Sequence, residues 1–200
     1  MSQTVLITGA ATGIGRETAR RFAAEGWNVA VHYHSSGAKA AALVDELRAR
    51  RVSVIRAAAD VRDMEEVRAM VDKVCRTFGR IDVLVNNAGI AQQKLFTDIT
   101  AEDWDSMMDI NVKGLFHCCQ AVLPGMISRK SGSIVNVSSM WGVVGASCEV
   151  HYSAAKAAVI GLTKALAKEV GPSGIRVNCV SPGVVATSMT AGLDAETMEA

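Results

Sequence analysis

Two hundred residues, half of them hydrophobic and a fifth charged, suit one globular domain with a full core and carry no signature of disorder. Lys and Arg total 21 against 20 acids, a net charge of +1, so nothing recommends nucleic acid or an anionic membrane surface as a partner. No run approaches the ~18 apolar residues that span a bilayer. Met1-Ser2-Gln3 leads straight into a strand-like run rather than a signal peptide, so a cytoplasmic location is expected.

Thr4 to Thr8 is a short apolar run, long enough for one buried strand. It ends in Gly9-Ala10-Ala11-Thr12-Gly13-Ile14-Gly15, after which Arg16 to Glu25 continues with helical periodicity. Trp27 to Tyr33 predicts a second strand, Ala38 to Arg50 an amphipathic helix, and Val52 to Ala59 a third strand. Asp63 opens a helix to about Phe78, and Asp82 to Val85 is a fourth strand running into Asn86-Asn87-Ala88-Gly89. Thr100 as N-cap with Asp103 as the capping-box acid starts a long helix to about Ser128. Gly132 to Val137 is a fifth strand, Val150 to Val170 a helix, and Ile175 to Val180 a sixth strand. Strands alternating with helices in this way predict an α/β fold: one doubly wound parallel sheet with helices on both faces. Cys75, Cys118, Cys119, Cys148 and Cys179 form no C-x-x-C and no metal-ligand spacing; they read as reduced thiols, with Cys118-Cys119 in helix packing. His32, His34, His117 and His151 show no ligand spacing either, and His151 reads as packing or rim.

The glycine loop follows a strand and opens a helix, which is the context of a dinucleotide site. Gly9 permits a tight turn, Gly13 lets backbone approach a pyrophosphate, and Gly15 allows close helix–strand packing. Amides at the helix N-terminus would hold the anion. The spacing is G-x-x-x-G-x-G rather than G-x-G-x-x-G, a partial match, and a ligand-free glycine turn is the alternative. An acid at the end of the second strand would bind the ribose 2′-hydroxyl of NAD. Here the strand ends His32-Tyr33-His34-Ser35-Ser36, whose hydroxyls and imidazoles can instead donate to a 2′-phosphate. NADP(H) is therefore favoured, with NAD(H) the alternative because no arginine sits there and Lys39 is the nearest cation. Asp60, after the third strand, is either an acceptor for the adenine amino group or a turn or capping residue.

Tyr152 and Lys156 are four apart in the Val150–Val170 helix, hence on one face about a turn apart. A free phenol, with a pKa of about 10, is a poor acid–base group at neutral pH, and an adjacent ammonium brings it toward the working range. Alone, the pair equally describes a helix with a half-buried Tyr and a solvated Lys.

With the glycine loop, Asn86-Asn87-Ala88-Gly89, Ser139 and Tyr152-x-x-x-Lys156 in this order, the chain resembles the short-chain dehydrogenase/reductases from Val5 to about Met189. The resemblance implies a single Rossmann domain over residues 1–200, with a nucleotide half to about residue 90 and a catalytic half beyond it. It implies hydride transfer between a nicotinamide and a carbonyl or alcohol, without a metal. Tyr152 would exchange the proton with the substrate oxygen, and Lys156 would depress the phenol's pKa and bind the nicotinamide ribose. Ser139, thirteen residues before Tyr152 as in the family, would hydrogen-bond the substrate oxygen, with Ser138 the neighbouring alternative. Asn111 would hold a relay water, or satisfy a helix irregularity as a buried amide. Cofactor contacts carried over in the same way are Gly9, Thr12, Gly13, Ile14, Gly15, Tyr33, Ser35, Asp60, Val61, Asn87, Ala88, Gly89, Tyr152, Lys156, Pro182, Gly183, Val185 and Thr187.

Substrate contacts are expected from Ile90 to Phe96, Met140 to His151 and the chain after Gly183. The overall pattern looks most like 3-oxoacyl-carrier-protein reductases, with a small-molecule or carrier-bound carbonyl as substrate. Residues 91–96 and 139–150 are also similar to reductases that finish a 5-aminopentanone modification on bacterial elongation factor P. Glu149, three residues before Tyr152, would suit a substrate amine, or it simply favours the helix N-terminus. An NAD-dependent sugar or polyol dehydrogenase would share the catalytic residues, and a dinucleotide-sensing protein would share the fold. Family members usually continue for some fifty residues more, with another helix and a seventh strand. A homodimer or homotetramer with weakened assembly and stability is therefore expected of these 200 residues.

Overall fold

The structure, a computed structural model, describes residues 2–186. Among these residues six strands form one parallel sheet in the order β3-β2-β1-β4-β5-β6. The strands are β1 (Thr4–Ile7), β2 (Asn28–Tyr33), β3 (Val54–Ala58), β4 (Val83–Asn86), β5 (Gly132–Val137) and β6 (Ile175–Val180). The helices between them are α1 (Gly13–Ala24), α2 (Gly37–Ala49), α3 (Met64–Phe78), α4 (Ala101–Met108), α5 (Gly114–Arg129), α6 (Trp141–Val144) and α7 (Val150–Val170). No helix among the described residues is long and apolar enough to cross a membrane.

Both faces of the sheet are covered, which is why its strands read as unbroken apolar runs. Alternate residues of β1 point to opposite sides. Val5 and Ile7 pack with Ala19 and Ala23 of α1 and Leu43, Val44 and Leu47 of α2. Leu6 packs with Leu84, Ile134 and the helices α3, α5 and α7, through Val67, Met70, Val122 and Val159. Helix α3 shows how the local sequence sets an element. Val67, Met70, Val71 and Val74 make one buried stripe at helical spacing. The Asp63 carboxylate accepts from the Glu65 and Glu66 amides at 2.8 and 3.1 Å, and Gly79 ends the helix at φ +87°.

The predicted strands and helices agree with the observed ones to within two or three residues at most ends, with two corrections. The single helix expected from Thr100 to Ser128 is broken: the capping box forms at Thr100 and Asp103, but α4 gives way to a π turn over Asp109–Lys113 before α5 begins. The stretch expected as loop after Ser139 contains the one-turn helix α6.

Strand order reverses between β1 and β4, so the crevice beyond their carboxyl ends is where a ligand belongs in such a sheet. That crevice is bordered by the glycine loop and by residues 86–89.

Candidate active site

The glycine loop is held by contacts that its sequence does not announce. Gly9 and Gly13 adopt φ +62° and +53°, conformations that favour glycine. A Cβ on Gly15 would lie 2.5 Å from Asn87 Nδ2 and 2.6 Å from the Gly9 carbonyl. Asn87 donates from Nδ2 to the carbonyls of Thr8 and Gly9 at 2.9 and 3.1 Å, and the Thr8 hydroxyl accepts from the Asn87 and Ala88 amides. The loop and the β4 end are thus one unit. Thr12 caps α1 without a side-chain hydrogen bond, so the amides of Gly13, Ile14 and Gly15 get no help from their own cap. A diphosphate fits this cradle by charge and by the absence of side chains.

Where an adenosine would lie, three expectations change. His32 is buried with both ring nitrogens engaged, to the Gly9 amide and the Ala59 carbonyl, so its imidazole is not free for a 2′-phosphate. Asp60 has its carboxylate filled by Arg62, whose Nε reaches both oxygens at 3.0 and 2.9 Å and whose Nη2 pairs with Oδ2. Arg62 holds the carboxyl at about 2, well below its usual range. His34 approaches the same carboxylate at 3.8 Å. Arg62 is therefore a cation next to this end of the site, where sequence reasoning had found only Lys39. Adjacency across a strand end is not visible in sequence spacing. Tyr33 and Ser35 lie at the β2–α2 junction. Val61 is fixed from behind, its carbonyl 2.9 Å from His117 Nδ1 and its side chain against Gly114, where a Cβ would come within 2.6 Å.

The other end gathers Ser139, Tyr152, Lys156 and Asn111. Lys156 is buried and donates from Nζ to the Val137 carbonyl at 3.0 Å, with Nζ 5.6 Å from the centre of the Tyr152 ring. Burial brings this ammonium down to about 8. Tyr152 departs from expectation: burial raises its phenol above the usual value, the Ser139 hydroxyl opposes that by hydrogen bonding, and the Glu149 charge reinforces it. Lys156 does not offset the burial of the phenol here. The two neighbouring serines separate by contact. Ser138 donates its hydroxyl to the Lys156 carbonyl at 2.7 Å, anchoring α7, whereas Ser139 Oγ accepts from the Trp141 amide and faces Tyr152.

Asn111 sits at the middle of the π turn. Its Nδ2 donates to the carbonyls of Ile90 and Met107 at 3.1 and 3.0 Å, while Oδ1 is buried with no hydrogen-bond partner. A Cβ on Gly89 would lie 2.5 Å from that Oδ1 and 3.5 Å from Lys156 Nζ, so both polar atoms border one small space that only glycine leaves open. The amide thus bonds carbonyls on either side of the π turn, as a buried amide at a helix irregularity does.

The segment after β4 is stitched to the start of α7. Lys94 donates its amide to the Cys148 carbonyl at 2.7 Å and its ammonium to Asp103. Gln92 donates to Asp103 Oδ1 at 2.9 Å, leaving its carbonyl oxygen 2.8 Å from Nε2 of the fully buried His151. A carboxylate only accepts, so the amide orientation is set and His151 Nε2 carries the proton. His151 is thus packing, as expected, and Gln92 and Asp103 are the residues that spacing alone missed. Glu149 is half-buried, accepts from Gln93 at 3.4 Å, and burial raises its carboxyl.

Met140 donates its amide to the Pro182 carbonyl at 2.9 Å, and Gly183 lies against the Met140 sulfur. Val185 is exposed, and Thr187 lies outside the described residues. All five cysteines are free; Cys118 and Cys119 are buried in α5, and burial pushes the Cys119 thiol up to about 12.

The chain as a whole is similar to known proteins. The short chain dehydrogenase family model matches residues 3–197. A 3-oxoacyl-[acyl-carrier-protein] reductase of Staphylococcus aureus is 45% identical over 199 residues, covering all of this chain and 81% of that protein. Proteins of the same description from Synechocystis and Thermotoga maritima are each 44% identical, over 195 and 194 residues, or 79% and 78% of their lengths. With a nucleotide crevice at the strand reversal and Tyr152 four residues before a buried lysine, the chain belongs to the short-chain dehydrogenase/reductase family and is an NAD(P)(H)-binding oxidoreductase.

Proposed function

We propose that the protein reduces a ketone to a secondary alcohol with NADPH, in the manner of a 3-oxoacyl-carrier-protein reductase, as a single domain whose halves meet near residue 90. The observation that carries this is the convergence of Ser139, Tyr152 and Lys156 at the carboxyl edge of β5, beside the crevice. When bound, the nicotinamide supplies the hydride. Ser139 donates a hydrogen bond to the substrate oxygen as charge builds there. Tyr152 gives that oxygen its proton from the phenol hydroxyl. Lys156 holds a positive charge near the phenolate that remains and binds the cofactor ribose. Asn111 Oδ1, open toward Lys156, holds the water through which the proton is replaced. Val185, Pro182 and Gly183 complete the nicotinamide side, and Gly9 to Gly15, Asn87 to Gly89, Asp60 and Val61 hold the rest.

The preference for NADPH is supported by the absence of an acid at the β2 end and by Ser35, Ser36, His34 and Arg62 around it. Their hydrogen bonds to a 2′-phosphate are charge-assisted, and two of them account for a preference of about tenfold or more. The test follows absorbance at 340 nm with NADPH and NADH on an acetoacetyl thioester. A higher kcat/KM with NADPH is expected; equal rates would mean that the β2 end does not read the 2′ position, and no turnover with either would favour a sensing role.

One observation favours a second substrate reading, an aminoketone such as the 5-aminopentanone group on elongation factor P. Glu149 stands at the start of α7, close enough to act on the Tyr152 phenol and, among the described residues, in no ion pair. If a substrate amine is its partner, Glu149→Gln raises KM for an aminoketone by about tenfold and leaves the thioester unchanged. Equal effects on both substrates would assign Glu149 to the helix start alone. A homodimer is supported by Trp104, Phe116 and Ile127, which stay exposed on α4 and α5.

A further inference from the structure

His32 is the last residue but one of β2, inside the fold, where the carboxyl ends of three strands meet. Only 2% of it is exposed. Its Nδ1 accepts from the Gly9 amide at 3.0 Å, and its Nε2 lies 3.0 Å from the Ala59 carbonyl. A backbone amide can only donate and a carbonyl can only accept, so both contacts hold together in one protonation state: a neutral ring with its proton on Nε2. The His32 carbonyl adds a bond from the Ala10 amide at 2.9 Å. One residue thereby ties the left-handed Gly9 turn to Ala59, immediately before Asp60 and Val61.

We infer that His32 is a positioning residue for the dinucleotide site: its neutral ring sets the Gly9 turn against the 59–61 segment, and protonating the ring breaks that arrangement and weakens dinucleotide binding. This rests on the reading of the glycine loop and residues 60–61 as cofactor contacts. A protonated ring would turn an N–H toward the Gly9 N–H, and a buried amide would lose its acceptor. Burial lowers the ring below its ordinary 6.5, and the His34 charge adds to this. The Ala59 carbonyl and the Asp60 charge oppose it. These are the titratable groups acting on the ring: His34 from the end of β2 and Asp60 from the end of β3, the latter neutralised by Arg62. The Gly9–Ala10 turn brings none. The folded chain keeps the ring neutral where the unfolded chain would protonate it. Stability is therefore full above about pH 6.5 and falls as pH drops below it.

The test titrates NADP⁺ into the wild type, His32→Asn and His32→Leu by calorimetry at about pH 7.5 and about pH 5.5, either side of the ordinary imidazole value. A phosphate monoester itself titrates near pH 6, so the chains are compared at matched pH and NAD⁺ is run beside NADP⁺. An asparagine Oδ1 stands where Nδ1 stood, accepts from the Gly9 amide and does not titrate. The wild type should lose more affinity than His32→Asn between the two pH values, by less than about tenfold because burial lowers the ring below its ordinary value, with both dinucleotides. His32→Leu should bind about tenfold more weakly than the wild type at the higher pH and show no extra loss at the lower one. Parallel pH profiles for the wild type and His32→Asn would overturn the inference, whether or not His32→Leu folds. Binding of neither dinucleotide at either pH would instead overturn the reading of the cofactor site.

Discussion

Replacing Tyr152 with phenylalanine is expected to lower kcat for ketone reduction by about 100- to 10,000-fold, the range that a positioned acid–base group contributes. Dinucleotide affinity should be unchanged, because the substitution removes one oxygen and keeps the ring that packs beside Lys156. The reason lies in the balance of influences on the phenol. Burial raises it and Glu149 raises it further, while Ser139 alone is seen to lower it. A neutral, protonated phenol is the form that can donate a proton to the substrate oxygen. Stopped-flow measurement of the first turnover, together with a dinucleotide titration, separates chemistry from binding. A Tyr152→Phe protein with more than about a tenth of wild-type kcat would remove Tyr152 from the mechanism and leave Ser139 or solvent as the proton source.

The second large effect concerns Gly15. An alanine there would place its Cβ 2.6 Å from the Gly9 carbonyl, which is backbone and cannot rotate away, and 2.5 Å from Asn87 Nδ2. Either α1 moves off the sheet or the Gly9 turn opens. Overpacking of this kind costs about 1–3 kcal/mol. If the displaced atoms cradle the diphosphate, as proposed, dinucleotide affinity should fall about tenfold or more as well. Gly161→Ala is the control, a position in α7 where an added Cβ meets nothing within 4 Å. There the greater helix propensity of alanine should be neutral or stabilising by up to about 1 kcal/mol. Thermal melts with and without NADP⁺ check both. Equal melting temperatures for Gly15→Ala and the wild type would mean that the loop accommodates the methyl group.

The amino-acid sequence by itself determined the sheet, the alternation of strands and helices, and the order of the chemical groups along them. These follow from local physics: apolar runs of strand length, glycines after a strand, and a capping box at Thr100 that forms as its residue types require. The shared face of Tyr152 and Lys156 is likewise fixed by helical period. What only the tertiary structure decided is which partner each polar atom finds. Ser138 and Ser139 are equivalent in composition, and the distinction between them comes from the Lys156 carbonyl on α7, 18 residues away. Asp60 has Arg62 folded back on its carboxylate, which no spacing announces, and His32 looked available until Gly9 and Ala59 claimed both of its nitrogens. The π turn at Asn111 is not announced by the helical pattern, because a single wider turn inside a long helix has no residue-type signal of its own. The pKa shifts follow the same division: charges along a helix can be read from spacing, but burial is a property of everything packed around the group, and here burial is the largest influence on both Tyr152 and Lys156.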